Sequence, residues 1–201
     1  MAMALSPLER AYRARLDAIR QRIVADVAAE YDLDPDDILA SFDRFVERVA
    51  PRIEAGQAAA QLLTVTFLEQ LARESGLDDW EPLPEDDAVP GSTAGGASLA
   101  AGMGAIGGMV LRSIGDGTAV ADALAGGRNY AERFTDNEVR GAADREQERQ
   151  SQAREIVGWE GIVQPNSCDA CRANEGIHDL SEEMWRHGNC ACERVPVFAG
   201  A

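Results

Sequence analysis

The sequence predicts a mainly α-helical protein that ends in a small, β-rich, zinc-binding module. Apolar residues recur every three or four positions through most of the first 155 residues, which is the spacing of amphipathic helices. Beyond residue 155 short alternating segments replace that spacing, and all four cysteines and both histidines lie there. The predicted order is an N-terminal amphipathic helical bundle or hairpin, a long polar helix, and the C-terminal module.

Two amphipathic helices are predicted in the N-terminal helical region, residues 1–75. The first covers residues 5–31, with an apolar stripe along its whole length. The second opens after Asp34, because an Asp cap followed by proline and two acids is typical of a helix start. Pro51 is expected to kink or break this helix, since proline has no backbone N–H to donate. Helical spacing then resumes and stops near Gly76.

A linker is predicted at residues 76–96, which are acidic and proline-rich and then rich in Gly and Ser. Most of the net charge of −16 lies in and before this linker, because residues 32–90 hold 15 acids and 4 Arg. All 19 basic residues of the chain are Arg. So acidic a surface argues against nucleic-acid binding by the whole chain and against binding to anionic lipid.

The central helical region, residues 97–155, begins with an apolar helix that contains several glycines, over residues 97–114. Close helix packing explains those glycines better than a membrane-active segment does, because the apolar run is shorter than the roughly 20 residues of a membrane-spanning helix. A short helix is expected to end at Gly126-Gly127 and a polar one to cover residues 128–155. That polar helix has little to bury, so we expect a solvated arm or, alternatively, a partner-binding helix. No secretory signal is visible, and we expect synthesis in the cytoplasm.

The C-terminal module, residues 156–201, is expected to contain two short strands, at residues 156–163 and 194–198. Between them the spacing is Cys-x2-Cys, 15 residues, then His-x2-Cys-x-Cys. Two chelating pairs separated by such a loop are the usual construction of a tetrahedral zinc site. The five candidate ligands are Cys168, Cys171, His187, Cys190 and Cys192.

Five candidates for four positions leave the second ligand pair open. It is either His187 with Cys190 or Cys190 with Cys192, since alternate residues of a strand face the same side. His178 is not counted as a ligand, because it is expected to lie in the middle of the loop beside Asp179.

Other chemistry for the cysteines is less favoured. Stable disulfides are disfavoured by cytosolic synthesis. A redox pair at Cys168 and Cys171 would be expected at a helix start after a strand in a βαβ unit, which the sequence does not indicate. A catalytic zinc would need an open coordination position and a nearby general base, so a structural zinc is favoured. The sequence contains no serine-hydrolase, phosphate-binding-loop or zinc-protease motif.

Several motifs between about residues 118 and 198 resemble those of the MuF-like phage head morphogenesis (minor capsid) proteins, of the actinobacteriophage type. They are Asp122-Ala-Leu-Ala-Gly-Gly, Gly158-Trp159, Cys168-Asp-Ala-Cys171 with Gly176, and His187-Gly-Asn-Cys190-Ala-Cys192 followed by Val195-Pro-Val. Gly188 stands where proline is usual in that family, and Ala191 where arginine is common. These departures do not touch the candidate ligands.

The resemblance implies a non-enzymatic, low-copy virion component in the head interior or at the portal vertex, made in the host cytoplasm. The implied partners are the phage portal protein, the major capsid protein or both, with packaged DNA nearby and no membrane. The alternative function is a zinc-binding adaptor or regulator that contacts protein or nucleic acid through the C-terminal module. A zinc hydrolase ranks third.

Overall fold

A computed structural model of the 201-residue chain describes residues 6–84, 91–93, 96–153, 155–163, 168–182 and 193–199. The elements are α1 (Pro7–Glu30), α2 (Ile38–Glu74), α3 (Leu99–Gly115), α4 (Val120–Gln150), β1 (Ile156–Ile162), α5 (Asp169–Arg172), β2 (Gly176–Asp179) and β3 (Glu193–Phe198). The described chain is therefore mainly helical with a small sheet near its C-terminus, as predicted. None of its helices has the length and apolarity to cross a membrane.

The chain forms two compact units, each assembled from separate segments. The first, here named the helical unit, comprises residues 13–61 and 86–143. The second, named the sheet unit, comprises residues 1–12, 62–85 and 144–201. The division into consecutive domains stays a prediction.

The core of the helical unit is a cluster of aliphatic and aromatic side chains from α1 to α4 and from the segment between α1 and α2. Its buried members are Val27, Leu33, Phe42, Phe45, Val49, Ile53, Leu99, Met103, Ile106 and Ala131. Those on α2 and α3 follow the predicted three- and four-residue steps, so the amphipathic interpretation of these segments is confirmed. At the edge of this core, Arg20 donates two hydrogen bonds to the carboxylate of Asp136, at 2.9 and 2.7 Å.

Pro51 does not break α2, which runs continuously from Ile38 to Glu74. Both Pro51 and Glu47 are exposed. The carbonyl of Glu47 is the group that loses its donor, and on this face water can supply one. The expected break is absent because its main cost, an unsatisfied carbonyl, does not arise at a solvated position.

Gly126 and Gly127 do not separate two helices, because α4 is continuous through both. Gly127 is buried, and a β-carbon there would collide with the hydroxyl of Tyr31 and lie 2.5 Å from Cγ2 of Val110. This glycine permits close packing of α4 rather than ending a helix. The prediction of two helices was wrong because a glycine at a close contact and one at a helix end are indistinguishable in sequence.

The last turns of α4, in the sheet unit, are buried rather than a solvated arm. The side chain of Gln150 has no exposed surface. Its amide accepts a hydrogen bond from the N–H of Leu83 at 2.9 Å and donates to the Leu83 carbonyl at 3.3 Å. Arg149 donates to the carbonyl of Pro84 at 2.6 Å. Polar side chains are buried here because each finds backbone or side-chain partners, and those backbone partners belong to the predicted linker.

The sheet is antiparallel with the strand order β2-β1-β3. The predicted strands at both ends of the module correspond to β1 and β3, whereas β2 was not predicted. Ile156 and Phe198 form a small core with Ala72 and Ala153. Trp80 packs edge-on against the ring of Phe198, with ring centroids 5.5 Å apart.

Candidate metal centre

The register of the sheet brings the two ends of the Cys/His segment to the same end of the sheet. Ile162, the last residue of β1, pairs with Glu193, the first residue of β3. Cys168 follows Ile162 by six residues, and Glu193 comes directly after Cys192 in the sequence. The start of β2 also pairs with the end of β1. The stretch of sequence that contains all five predicted ligands is therefore bounded by two paired residues of the sheet, Ile162 and Glu193.

Cys168 and Cys171 lie on one helical turn. Cys168 is the cap residue before α5, Cys171 lies within α5, and the N–H of Arg172 donates to the Cys168 carbonyl at 3.0 Å. Residues three apart on a helix have β-carbons about 5–6 Å apart, so both sulfurs can reach one ion. Cys168 is exposed, whereas Cys171 is 1% exposed. This half of the predicted site fits zinc in donor type and in spacing.

The turn that carries Cys168 and Cys171 packs against β1 through a close contact between the backbones of Asn174 and Gly161. The carbonyl oxygen of Asn174 occupies the space that a β-carbon on Gly161 would need, and its carbonyl carbon would lie 2.7 Å from that β-carbon. Asn174 is buried, and its N–H donates to the carbonyl of Cys171 at 3.0 Å. Gly161 is thus a positioning residue that the sequence reasoning missed. A glycine inside a strand pattern is the signal that could have found it.

His178 lies on β2 opposite Trp159 of β1, so the expectation of a mid-loop position was wrong. The two rings stack with centroids 4.2 Å apart and planes inclined by 13°. Nδ1 of His178 is 3.1 Å from the carboxylate of Glu182, and the indole N–H of Trp159 donates to the Glu182 carbonyl at 2.9 Å. Nε2 is buried and has no hydrogen-bond partner among the described residues.

That arrangement has a chemical meaning. In metal-binding histidines one ring nitrogen binds the metal and the other commonly donates to a carboxylate, and His178 shows the second of these contacts. His178 therefore joins the five predicted residues as a donor that a zinc assay must test.

Two carboxyl groups near the sheet have pKa values that are shifted in opposite directions. The hydrogen bond from His178, and then the N–H of Asp179, lower the pKa of Glu182. Burial, and then the charge of Glu9, raise the pKa of Glu160 on β1.

Three of the five predicted ligands, His187, Cys190 and Cys192, lie outside the described residues. Among the residues that are described, no three His, Cys, Asp or Glu side chains converge closely enough to hold a metal ion. The structure thus places the first cysteine pair and leaves the complete zinc site a prediction.

The likeness to MuF-like head morphogenesis proteins rests on the motifs of the sequence alone. Compared with known proteins, the chain matches no family model, no curated protein and no solved structure.

Proposed function

We propose that this chain is a non-enzymatic minor capsid protein of the phage head morphogenesis type. It would reside in the virion at low copy number, in the head interior or at the portal vertex, and would contact the portal protein, the major capsid protein or both. The observation that carries the proposal is the Cys/His segment, which lies in the sequence between the last residue of β1 and the first residue of β3, two residues that pair in the sheet. The motifs quoted above for the family resemblance are centred on the same segment.

In this proposal the C-terminal module holds one structural zinc ion. Cys168 and Cys171 provide the first ligand pair, and two of His187, Cys190 and Cys192 complete the site. A sheet of three short strands buries little apolar surface, so a metal cross-link would supply stability that its core cannot. Zinc would act here by holding chain segments together.

The acidity of the chain supports protein partners over direct DNA binding. A net charge of −16 repels phosphate backbones, whereas it is compatible with protein surfaces of opposite charge. Packaged DNA would therefore be a neighbour rather than the ligand.

Mass spectrometry of purified phage particles tests the virion assignment. We expect peptides of this chain in the particles at a small fraction of the major capsid protein. A chain found only in the lysate of infected cells and never in particles would contradict the proposal.

Metal analysis of the purified full-length protein tests the zinc site separately. We expect about one zinc per chain in the wild type and a loss of zinc in Cys171→Ser. Ala170→Ser is the matched control, because Ala170 is exposed and lies on the same turn, and it should retain the metal. His187→Ala and His178→Ala, compared side by side, show which histidine contributes. A wild-type protein that binds no zinc when fully reduced would refute the metal assignment.

A further inference from the structure

We propose that Cys168 and Cys171 form a reversible dithiol–disulfide pair, a redox site distinct from the zinc role. The pair cycles between two thiols and one intramolecular disulfide without any other residue of the chain. This inference goes beyond the proposed function and does not require bound metal.

Cys168 and Cys171 lie three residues apart on one hydrogen-bonded turn, a spacing from which a disulfide can form. The hydrogen bond from Arg172 to the Cys168 carbonyl closes the turn at its start, and the bond from Asn174 to the Cys171 carbonyl closes it at its end, both at 3.0 Å. β-carbons about 5–6 Å apart on such a turn need only a small closure to reach the roughly 3.5–4.5 Å of a disulfide. The buried Asn174 carbonyl against Gly161 keeps the turn in place.

The two thiols differ in access, as a dithiol pair requires. Cys168 is exposed and is the sulfur that a dissolved disulfide can reach. Cys171, at 1% exposure, is shielded from solution yet lies on the same turn. The exposed cysteine therefore reacts first, and the buried one resolves the intermediate. The sequence does not indicate the βαβ unit in which such pairs are usual, and the sheet is antiparallel; Cys168 nevertheless lies at the start of a helix, α5, that follows the strand β1.

The oxidant is a low-molecular-weight disulfide such as oxidised glutathione. The thiolate of Cys168 attacks one sulfur of that disulfide, forms a mixed disulfide and releases one glutathione thiolate. The thiolate of Cys171 then attacks the Cys168 sulfur, forms the intramolecular bond and releases the second glutathione. The two protein thiols lose two electrons, the disulfide of oxidised glutathione gains them and becomes two glutathione thiols, and the two protons end on those thiols or in solvent.

The test uses the full-length protein, fully reduced, freed of metal by a chelator and then exposed to oxidised glutathione. We expect peptide mapping to find Cys168 linked to Cys171 with a mass loss of about 2 Da, and a thiol reductant to reverse it. Bonds from either residue to Cys190 or Cys192 instead would overturn the proposal. So would a pair that stays reduced under conditions that oxidise the other two cysteines.

Two further measurements separate the roles of the pair. In the reduced wild type, alkylation of Cys168 should be at least about tenfold faster than that of Cys171, and equal rates would contradict the assigned order. Cys171→Ser should accumulate one glutathione on Cys168, because the resolving thiol is gone. A Cys171→Ser protein that accumulates none would refute Cys168 as the attacking sulfur.

The same oxidation in the presence of zinc distinguishes this inference from the proposed zinc site. If both cysteines bind zinc, the metal should slow disulfide formation at least about tenfold, since bound thiolates must be released first. An unchanged rate would argue against zinc ligation by this pair and leave the dithiol assignment intact.

Discussion

Replacing Gly107 by alanine should destabilise the helical unit, whereas the same change at the neighbouring Gly108 should stabilise it. Both glycines lie on α3. A β-carbon on Gly107 would lie 2.9 Å from Cδ1 of Phe42 and 3.2 Å from two more ring atoms, whereas one on Gly108 would meet nothing within 4 Å. Carbon atoms in contact stand about 3.5–4.0 Å apart, so the ring or the helix must move by at least about 0.6 Å. Phe42 is 3% exposed and packs on Phe45, which leaves the ring little space.

The two substitutions should change the free energy of unfolding by the same contributions, except for side-chain packing. Alanine gains about 1 kcal/mol over glycine in a helix at either site. Overpacking a well-filled core costs about 1–3 kcal/mol, and only Gly107→Ala incurs that cost. The net effect is about 0–2 kcal/mol of destabilisation for Gly107→Ala and about 1 kcal/mol of stabilisation for Gly108→Ala. The difference between the variants, about 1–3 kcal/mol, measures the packing term alone.

Thermal unfolding followed by circular dichroism can resolve that difference, because 1 kcal/mol corresponds to about 2–4 °C in a chain of this size. Urea unfolding of the same variants gives the free energies directly. Equal stabilisation by both substitutions would refute the close-packing explanation of Gly107. The wild-type transition serves as the common reference.

Three further predictions concern the sheet unit. Gly161→Ala should displace the turn at Asn174 and lower the free energy of unfolding by at least about 3 kcal/mol, because the backbone of Asn174 occupies the space that the new β-carbon needs. Urea unfolding should show the lower stability, and the zinc content should fall with it. In the wild type, Tm should fall as pH decreases from about 4.3 through the lowered pKa of Glu182, because protonation removes the hydrogen bond from His178 to the carboxylate. Glu182→Gln should not show this fall, and identical profiles of Tm against pH would contradict the role of His178. Glu160→Gln should raise Tm at pH 7 and change nothing below about pH 4, since a carboxyl with a raised pKa destabilises the fold only when ionised.

Periodicity predicted the elements whose faces are buried by simple apolar stripes. The stripe on α2 from Phe42 to Ile53 is buried as expected, because a core of aliphatic and aromatic residues leaves a clear three- and four-residue signal. The strands at both ends of the module were also predicted, from alternation and from the turn residues beside them.

Proline and glycine were less informative about where helices end, because their effect depends on the residues that surround them in the fold. Pro51 is tolerated where water faces the helix, and Gly127 is required where Tyr31 packs closely. Neither fact is encoded locally. The burial of Gln150 was missed for a related reason: its hydrogen-bond partners are backbone groups of Leu83, 67 residues away in sequence.

Of the described part of the candidate site, the sequence predicted the cysteine pair but not the residues that position it. The spacing of Cys168 and Cys171 was enough to place them on one turn. The roles of Gly161 and His178 depend on strand pairing, because both are defined by a neighbour on another strand or on the turn after α5. The strand β2 is four residues long and its one aliphatic side chain, Ile177, is exposed, so no apolar pattern in the sequence marked it.

The central position of β1 also has a consequence for biosynthesis. The ribosome delivers β1 before β2 and β3, so one backbone edge of β1 lacks its strand until residue 193 and those after it have emerged. An uncovered strand edge beside the apolar side chains of Ile156 and Trp159 is a site for aggregation. Ribosome stalling or premature termination between β2 and β3 would therefore yield chains that engage chaperones or precipitate, and complete translation would relieve that hazard.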